Sequence, residues 1–102
     1  MVAANTTFFV APRLEKAFVE WIRSTYSPAV RAAKFSEPRL MKLLERPDPN
    51  LEAYAFQFLA ENAEIAYSWT EGSESQRLRC EFAAQSPQEC VWFTTLMQLV
   101  EL

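Results

Sequence analysis

Proton transfer near neutral pH falls most often to histidine, and this chain has none. Its two thiols, Cys80 and Cys90, therefore have no imidazole to activate them and are expected to be reduced, buried and inert. They lie ten residues apart without close ligand partners, so no zinc pattern, metal or cofactor is expected. Lys42, Tyr54 and scattered glutamates are the remaining acid–base candidates. Trp21 and Trp69 sit on apolar helical stripes and are expected in the core, whereas Trp92 alternates with Thr94 on a strand. Asn5, Thr7, Gln57, Thr94 and Gln98 could orient a small ligand with apolar and polar parts, because pockets are mostly apolar with a few placed polar groups.

The elements that must position these residues follow from two hydrophobic periods. Period-two patterning over 5–10, 39–46, 52–59 and 91–100 predicts four strands. Between the first two, Pro12 starts a helix that carries Leu14, Phe18, Trp21, Ile22 and Thr25. Ser27 and Pro28 read as a cap and first helical residue, so the helix is expected to break there and restart over 28–33. Pro38 is expected to open the second strand, and Pro47-Asp48-Pro49-Asn50 reads as the turn to the third. Asn62 can cap the second long helix, Gly72 interrupts it, and Ser73-Glu74-Ser75-Gln76 has the form of a capping box that starts a new segment. Ser86-Pro87 ends that segment, and a long last strand is expected over 90–102.

Strand, helix, strand, strand, helix, strand is the order of a ferredoxin-like βαββαβ sandwich in the α+β class. A four-stranded antiparallel sheet then carries both helices on one face. A four-residue hairpin loop pairs Leu40 with Gln57, Lys42 with Ala55 and Leu44 with Ala53. That register sends Met41, Leu43, Tyr54, Phe56 and Phe58 under the helices, with Phe8, Val10, Val91, Phe93, Met97 and Leu99. The opposite face is expected to carry Asn5, Thr7, Phe9, Leu40, Lys42, Leu44, Gln57, Trp92, Thr94, Leu96, Gln98 and Val100. It is too apolar for water and too polar for an ordinary core, which points to two sheets packed face to face in a homodimer.

Composition bounds the rest. At 102 residues, a single domain over 1–102 is expected. Half the residues are hydrophobic and 14% are aromatic, which is ring-rich for a small domain and again favours a covered surface. Net charge is −3, and the ten basic residues form no run, so nucleic-acid binding is not expected. The N-terminus lacks a basic, then apolar, leader, and no stretch approaches a membrane span, so a cytoplasmic protein away from membranes is expected.

Several short segments stand in order along the chain: Asn5-Thr6-Thr7, Phe18-Val19-Glu20-Trp21, Pro28 with Val30, and Phe35 with Arg39-Leu40. Tyr54-Ala55-Phe56-Gln57-Phe58, Leu78-Arg79 and Val91-Trp92-Phe93-Thr94-Thr95-Leu96-Met97 complete the set. In these segments the chain resembles domain-of-unknown-function family 4286, a short bacterial family common in Bacteroidetes. The resemblance implies a ferredoxin-like fold related to dimeric α+β barrels, and no named activity. The chain also departs from it. The family tends to carry histidine before the helix-restart proline and in the last helix, and arginine in the final strand. Here those places hold Tyr26 or Ser27, Phe82 and Thr94.

The favoured function is a non-enzymatic homodimer that uses its open sheet face, with room for a small ligand between the sheets. One alternative is a cofactor-independent monooxygenase or isomerase of the dimeric α+β barrel type, with Asn5, Tyr54, Trp92 and Arg39 as the available polar and aromatic groups. The other is a protein-interaction module that accepts a partner strand along 39–46, where Lys42 and Arg46 look like edge-protecting charges.

Overall fold

Strand β1 (Val2–Val10) alternates towards both ends, with Val2, Ala4, Phe8 and Val10 buried and Ala3, Asn5 and Phe9 half-buried, while Thr6 and Thr7 in its middle are both buried. In the computed structural model, which describes residues 1–102, β1 is joined by β2 (Ser36–Lys42), β3 (Glu52–Ala60) and β4 (Cys90–Gln98). The sheet order is β2-β3-β1-β4 and every pair is antiparallel. This is the expected ferredoxin-like α+β fold. No helix is long and apolar enough to cross a membrane.

The helical segments cover the face carried by Phe8 and Val10. Helical backbone runs unbroken from a 3-10 turn at Pro12–Leu14 through α1 (Glu15–Trp21), a π-turn (Ile22–Tyr26) and α2 (Ser27–Ala32). The expected break at Ser27-Pro28 does not occur, and Ser27 is itself helical (φ −61°, ψ −44°). In a regular helix the Pro28 ring would crowd the carbonyl of Ser24. Here the preceding turn is widened, and the Ser27 N–H donates to the carbonyl of Ile22.

After β3, Asn62 caps α3 (Ala63–Thr70), its side-chain oxygen accepting from the Ile65 N–H at 2.9 Å. Helix α4 (Ser73–Ala83) begins where expected, with Gly72 rather than Ser73 as its cap. A side chain at 72 would place its Cβ 2.5 Å from the Ser68 carbonyl oxygen, so the α3–α4 corner requires glycine. Gln76 closes the corner by donating to the Glu71 carbonyl at 2.8 Å.

Phe8, Phe18, Tyr26 and Phe56 are almost fully buried, and Trp21 and Trp69 pack against them. Their rings meet at 4.9–6.2 Å, from the stacked Trp21–Tyr26 pair to the tilted Phe8–Trp92 pair. Much of the aromatic content is therefore spent inside the chain.

Two strands differ from expectation in their bounds. β2 ends at Lys42, and Leu44 lies 93% exposed in a hairpin loop longer than four residues. Pro38 falls inside β2 beside an irregularity between Ser36 and Arg39, which an edge strand tolerates. β4 ends at Gln98, which pairs with Val2, and one further backbone bond runs from the Leu99 N–H to the Met1 carbonyl at 3.1 Å. Val100 and Leu102 accordingly lie exposed.

Candidate functional site

Register decides which side chains share a face, because cross-strand partners point the same way. β1 places Asn5, Thr7 and Phe9 on the face away from the helices, and β3 adds Ala55, Gln57 and Leu59. Asn5 pairs with Gln57 on one side and Thr95 on the other. These residues stand together on the uncovered face.

Eight residues expected beside them do not: Leu44 and Val100 lie outside the strands, and six take the other face. Leu40 pairs with Phe56 and Lys42 with Tyr54, one residue away from the register that a four-residue loop implies. The hairpin closes instead with the Leu43 N–H on the Ala53 carbonyl and Arg46 in an ion pair with Glu52 at 3.1 Å. Leu40 and Lys42 therefore belong to the helical side, and Met41 takes the uncovered one. In β4, Trp92 pairs with Phe8, Thr94 with Thr6, Leu96 with Ala4 and Gln98 with Val2. All four belong to the helical side, and Trp92 and Leu96 pack against the core. The uncovered face receives Val91, Phe93, Thr95 and Met97 in their place.

The corrected face is more apolar than the expected one. Phe93 is 53% exposed, Val91 45% and Met97 40%, and Phe93 packs 6.0 Å from Phe9. In its middle lies a short polar stripe. The Asn5 amide donates to Thr7 Oγ1 at 3.1 Å, and Asn5 Oδ1 is buried with no partner in the chain.

Lys42 serves a different purpose from that expected. Its Nζ donates to Glu15 at 2.5 Å, lies 3.5 Å from Glu52 and sits 5.8 Å from the Tyr54 ring centre. The Tyr54 hydroxyl donates to the same Glu15 carboxylate. The Lys42 hydrogen bond, then that of Tyr54, holds the Glu15 carboxyl below its ordinary value. Burial, then the bond to Glu15, raises the Tyr54 hydroxyl far above its ordinary range, so it stays protonated. The cluster ties α1 to the β2–β3 hairpin.

A second candidate site lies on the helical side of β4. Arg79 of α4 is buried, and its Nη1 donates to Tyr26 Oη at 2.7 Å and Ser75 Oγ at 2.5 Å. Its Nη2 donates to the Thr70 carbonyl at 2.6 Å, and its guanidinium lies 5.6 Å from the Trp92 ring centre. No carboxylate comes within 4.0 Å of it, and Nε has no partner. Trp92 and Thr94 thus stand beside Arg79 in a cleft of about 330 Å³. Composition conceals this arginine, but spacing could have revealed it. Ser75, Leu78, Arg79 and Phe82 recur at i, i+3, i+4 and i+7, the buried stripe of α4.

The thiols differ from each other. Cys90 is buried, and burial pushes its thiol up to about 11, whereas Cys80 is exposed rather than buried as expected.

Comparison with known proteins supports the architecture. A family model described as "Domain of unknown function (DUF4286)" matches residues 1–100. No curated protein sequence matches the chain. Among solved structures, an inferred antibiotic biosynthesis monooxygenase from Deinococcus radiodurans superposes with a TM-score of 0.74 at 10% identity, over 100% of this chain and 95% of its own. One from Nitrosomonas europaea gives 0.65 at 16% identity, over 99% and 100%. An ethyl tert-butyl ether d (ethd) family protein from Bacillus halodurans gives 0.60 at 12%, over 93% and 97%. At these identities the likeness is one of fold.

Proposed function

The chain belongs to the domain-of-unknown-function family DUF4286, and on that premise we propose that it acts as a homodimer, its single ferredoxin-like domain docking a second copy through the uncovered sheet face. The observation that carries this reading is the exposed apolar cluster of Val91, Phe93 and Met97 on the sheet face that no helix covers. Water is a poor neighbour for Val91, Phe93 and Met97. A two-fold axis through the face would set this cluster against its own copy, because a two-fold interface repeats each contact.

Sedimentation equilibrium at micromolar concentration tests this reading. Particles of twice 11.8 kDa are expected, and Met97→Asp on the uncovered face should return the single-chain mass. A wild-type protein that sediments as one chain overturns it.

A second reading follows from the activity named for the structural neighbours, catalysis of the monooxygenase kind. Its support is the cleft behind β4, where Trp92 and Thr94 stand beside a buried arginine. Oxygen uptake across a panel of small organic substrates is its direct assay, and no uptake with any of them counts against it.

A further inference from the structure

A guanidinium placed out of water ordinarily meets a carboxylate, because burying an unpaired charge costs several kcal/mol. Arg79 meets none. Its three bonds go to two hydroxyls and one carbonyl, and its Nε–H remains unpartnered in a side chain that is 3% exposed. Tyr26, one of its partners, belongs to the π-turn, and π-turns occur preferentially at functional sites.

Arg79 lines the cleft of about 330 Å³ with Trp92, Thr94, Gln76 and Glu71. Trp92 also lines a second hollow of about 450 Å³, whose other walls include Ala83, Ala84, Pro87 and Cys90. One hollow is charged and the other largely apolar, and they share the Trp92 wall.

We propose that this pair of hollows binds a small monocarboxylate with an apolar tail. The carboxylate lies at Arg79 beside Trp92, and the tail runs along Ala83, Ala84 and Pro87. The anion supplies the charge that the chain itself withholds from Arg79, meeting the side chain where it lines the cleft. A single negative charge is favoured over a phosphate dianion. Only one guanidinium serves the site, and Glu71, at the mouth with its carboxylate 3.4 Å from the Gln76 amide, repels a second charge. The inference is independent of the dimer, because α4 and β4 of one chain form the site.

Isothermal titration calorimetry with octanoate tests it, with octanol and octyl phosphate as comparison probes. Saturable binding of one octanoate per chain is expected, with octanol and octyl phosphate each weaker. Arg79→Met should weaken octanoate by about 10- to 100-fold, the loss of one charge-assisted hydrogen bond. Should that variant not fold, two exposed positions decide instead. Glu71→Gln should tighten octanoate severalfold by removing the like charge, and Ala84→Trp should weaken it by obstructing the tail. Octanol binding as well as octanoate, octyl phosphate binding better, or Glu71→Gln leaving affinity unchanged overturns the proposal.

Discussion

The Tyr26 hydroxyl accepts a hydrogen bond from the Arg79 guanidinium at 2.7 Å, joining the π-turn after α1 to the middle of α4. The two residues are far apart in sequence, yet both are nearly fully buried, and Ser75 Oγ lies 3.0 Å from the same hydroxyl. The contact fastens the two helical segments to each other over the sheet.

Removing that hydroxyl should cost more than an average surface change. Tyr26→Phe keeps the ring stacked on Trp21 but leaves the two N–H bonds of Nη1 in a buried cation with a single acceptor, Ser75. A loss of about 1.5–3 kcal/mol is expected, the range for hydrogen bonds to charged groups. Urea denaturation should show a lower midpoint with an unchanged slope. An unchanged midpoint would mean that Ser75 and Thr70 satisfy the guanidinium without Tyr26.

Neighbouring positions on β4 should respond in opposite ways to the same substitution. Met97 lies on the uncovered face and Leu96 packs against the core. Met97→Asp should leave the fold intact and alter only assembly. Leu96→Asp should lower the chain's stability by about 1–3 kcal/mol, through lost core packing and a charge set in a half-buried site. Circular dichroism melts of the two variants distinguish these outcomes.

The Glu15 cluster should give the acid limb of stability a recognisable shape. Its carboxyl is held down, chiefly by Lys42 and then by Tyr54. A depressed acid contributes stability that is fully present above its ordinary value of 4.5 and is lost as pH falls through the lower folded value. Glu15→Gln should therefore be less stable at neutral pH by up to about 1 kcal/mol, since Lys42 is half exposed and solvent screens the pair. The gap between variant and wild type should narrow on acidification and vanish in strong acid. A gap that persists there would assign the effect to packing of the Glu15 stem.

The two cysteines should react at very different rates. Cys80 is exposed, whereas Cys90 is buried and its thiol is pushed up to about 11. An aromatic disulfide reagent at neutral pH should titrate one thiol per native chain, and a second only in denaturant. Two fast thiols in the native protein would show that the β4 end opens readily.

How much could be read without coordinates depended on contrast between the two faces of each element. In β1 and β3 large apolar residues alternate with Asn5, Thr7, Ala55 and Gln57, so parity alone places them. In β4 it does not, because Val91, Phe93 and Met97 are as apolar as Trp92 and Leu96. Adjacent threonines at 94 and 95 add no preference. Only the partners on β1 decide the matter. The hairpin failed for another reason: Pro47-Asp48-Pro49-Asn50 is a sound turn, but the loop around it is longer, and an offset of one residue moves Leu40 and Lys42 across the sheet. Arg79 was hidden by its charge, since an arginine on an apolar stripe reads first as a surface residue.

The π-turn also explains an oddity in the spacing of the first helical stretch. Phe18, Ile22, Tyr26 and Val30 are all buried, each four residues after the last. In a regular α-helix every step of four overshoots a full circle by about 40°, so Val30 would have rotated about 120° away from the direction of Phe18. One widened turn takes up that excess and keeps the row facing the sheet. The number of residues between Phe18 and Val30 is thus a phase setting, fixed independently of their identity. Deleting a single exposed residue there, Arg23 for instance, would remove no core side chain, yet would rotate one end of the stretch against the other.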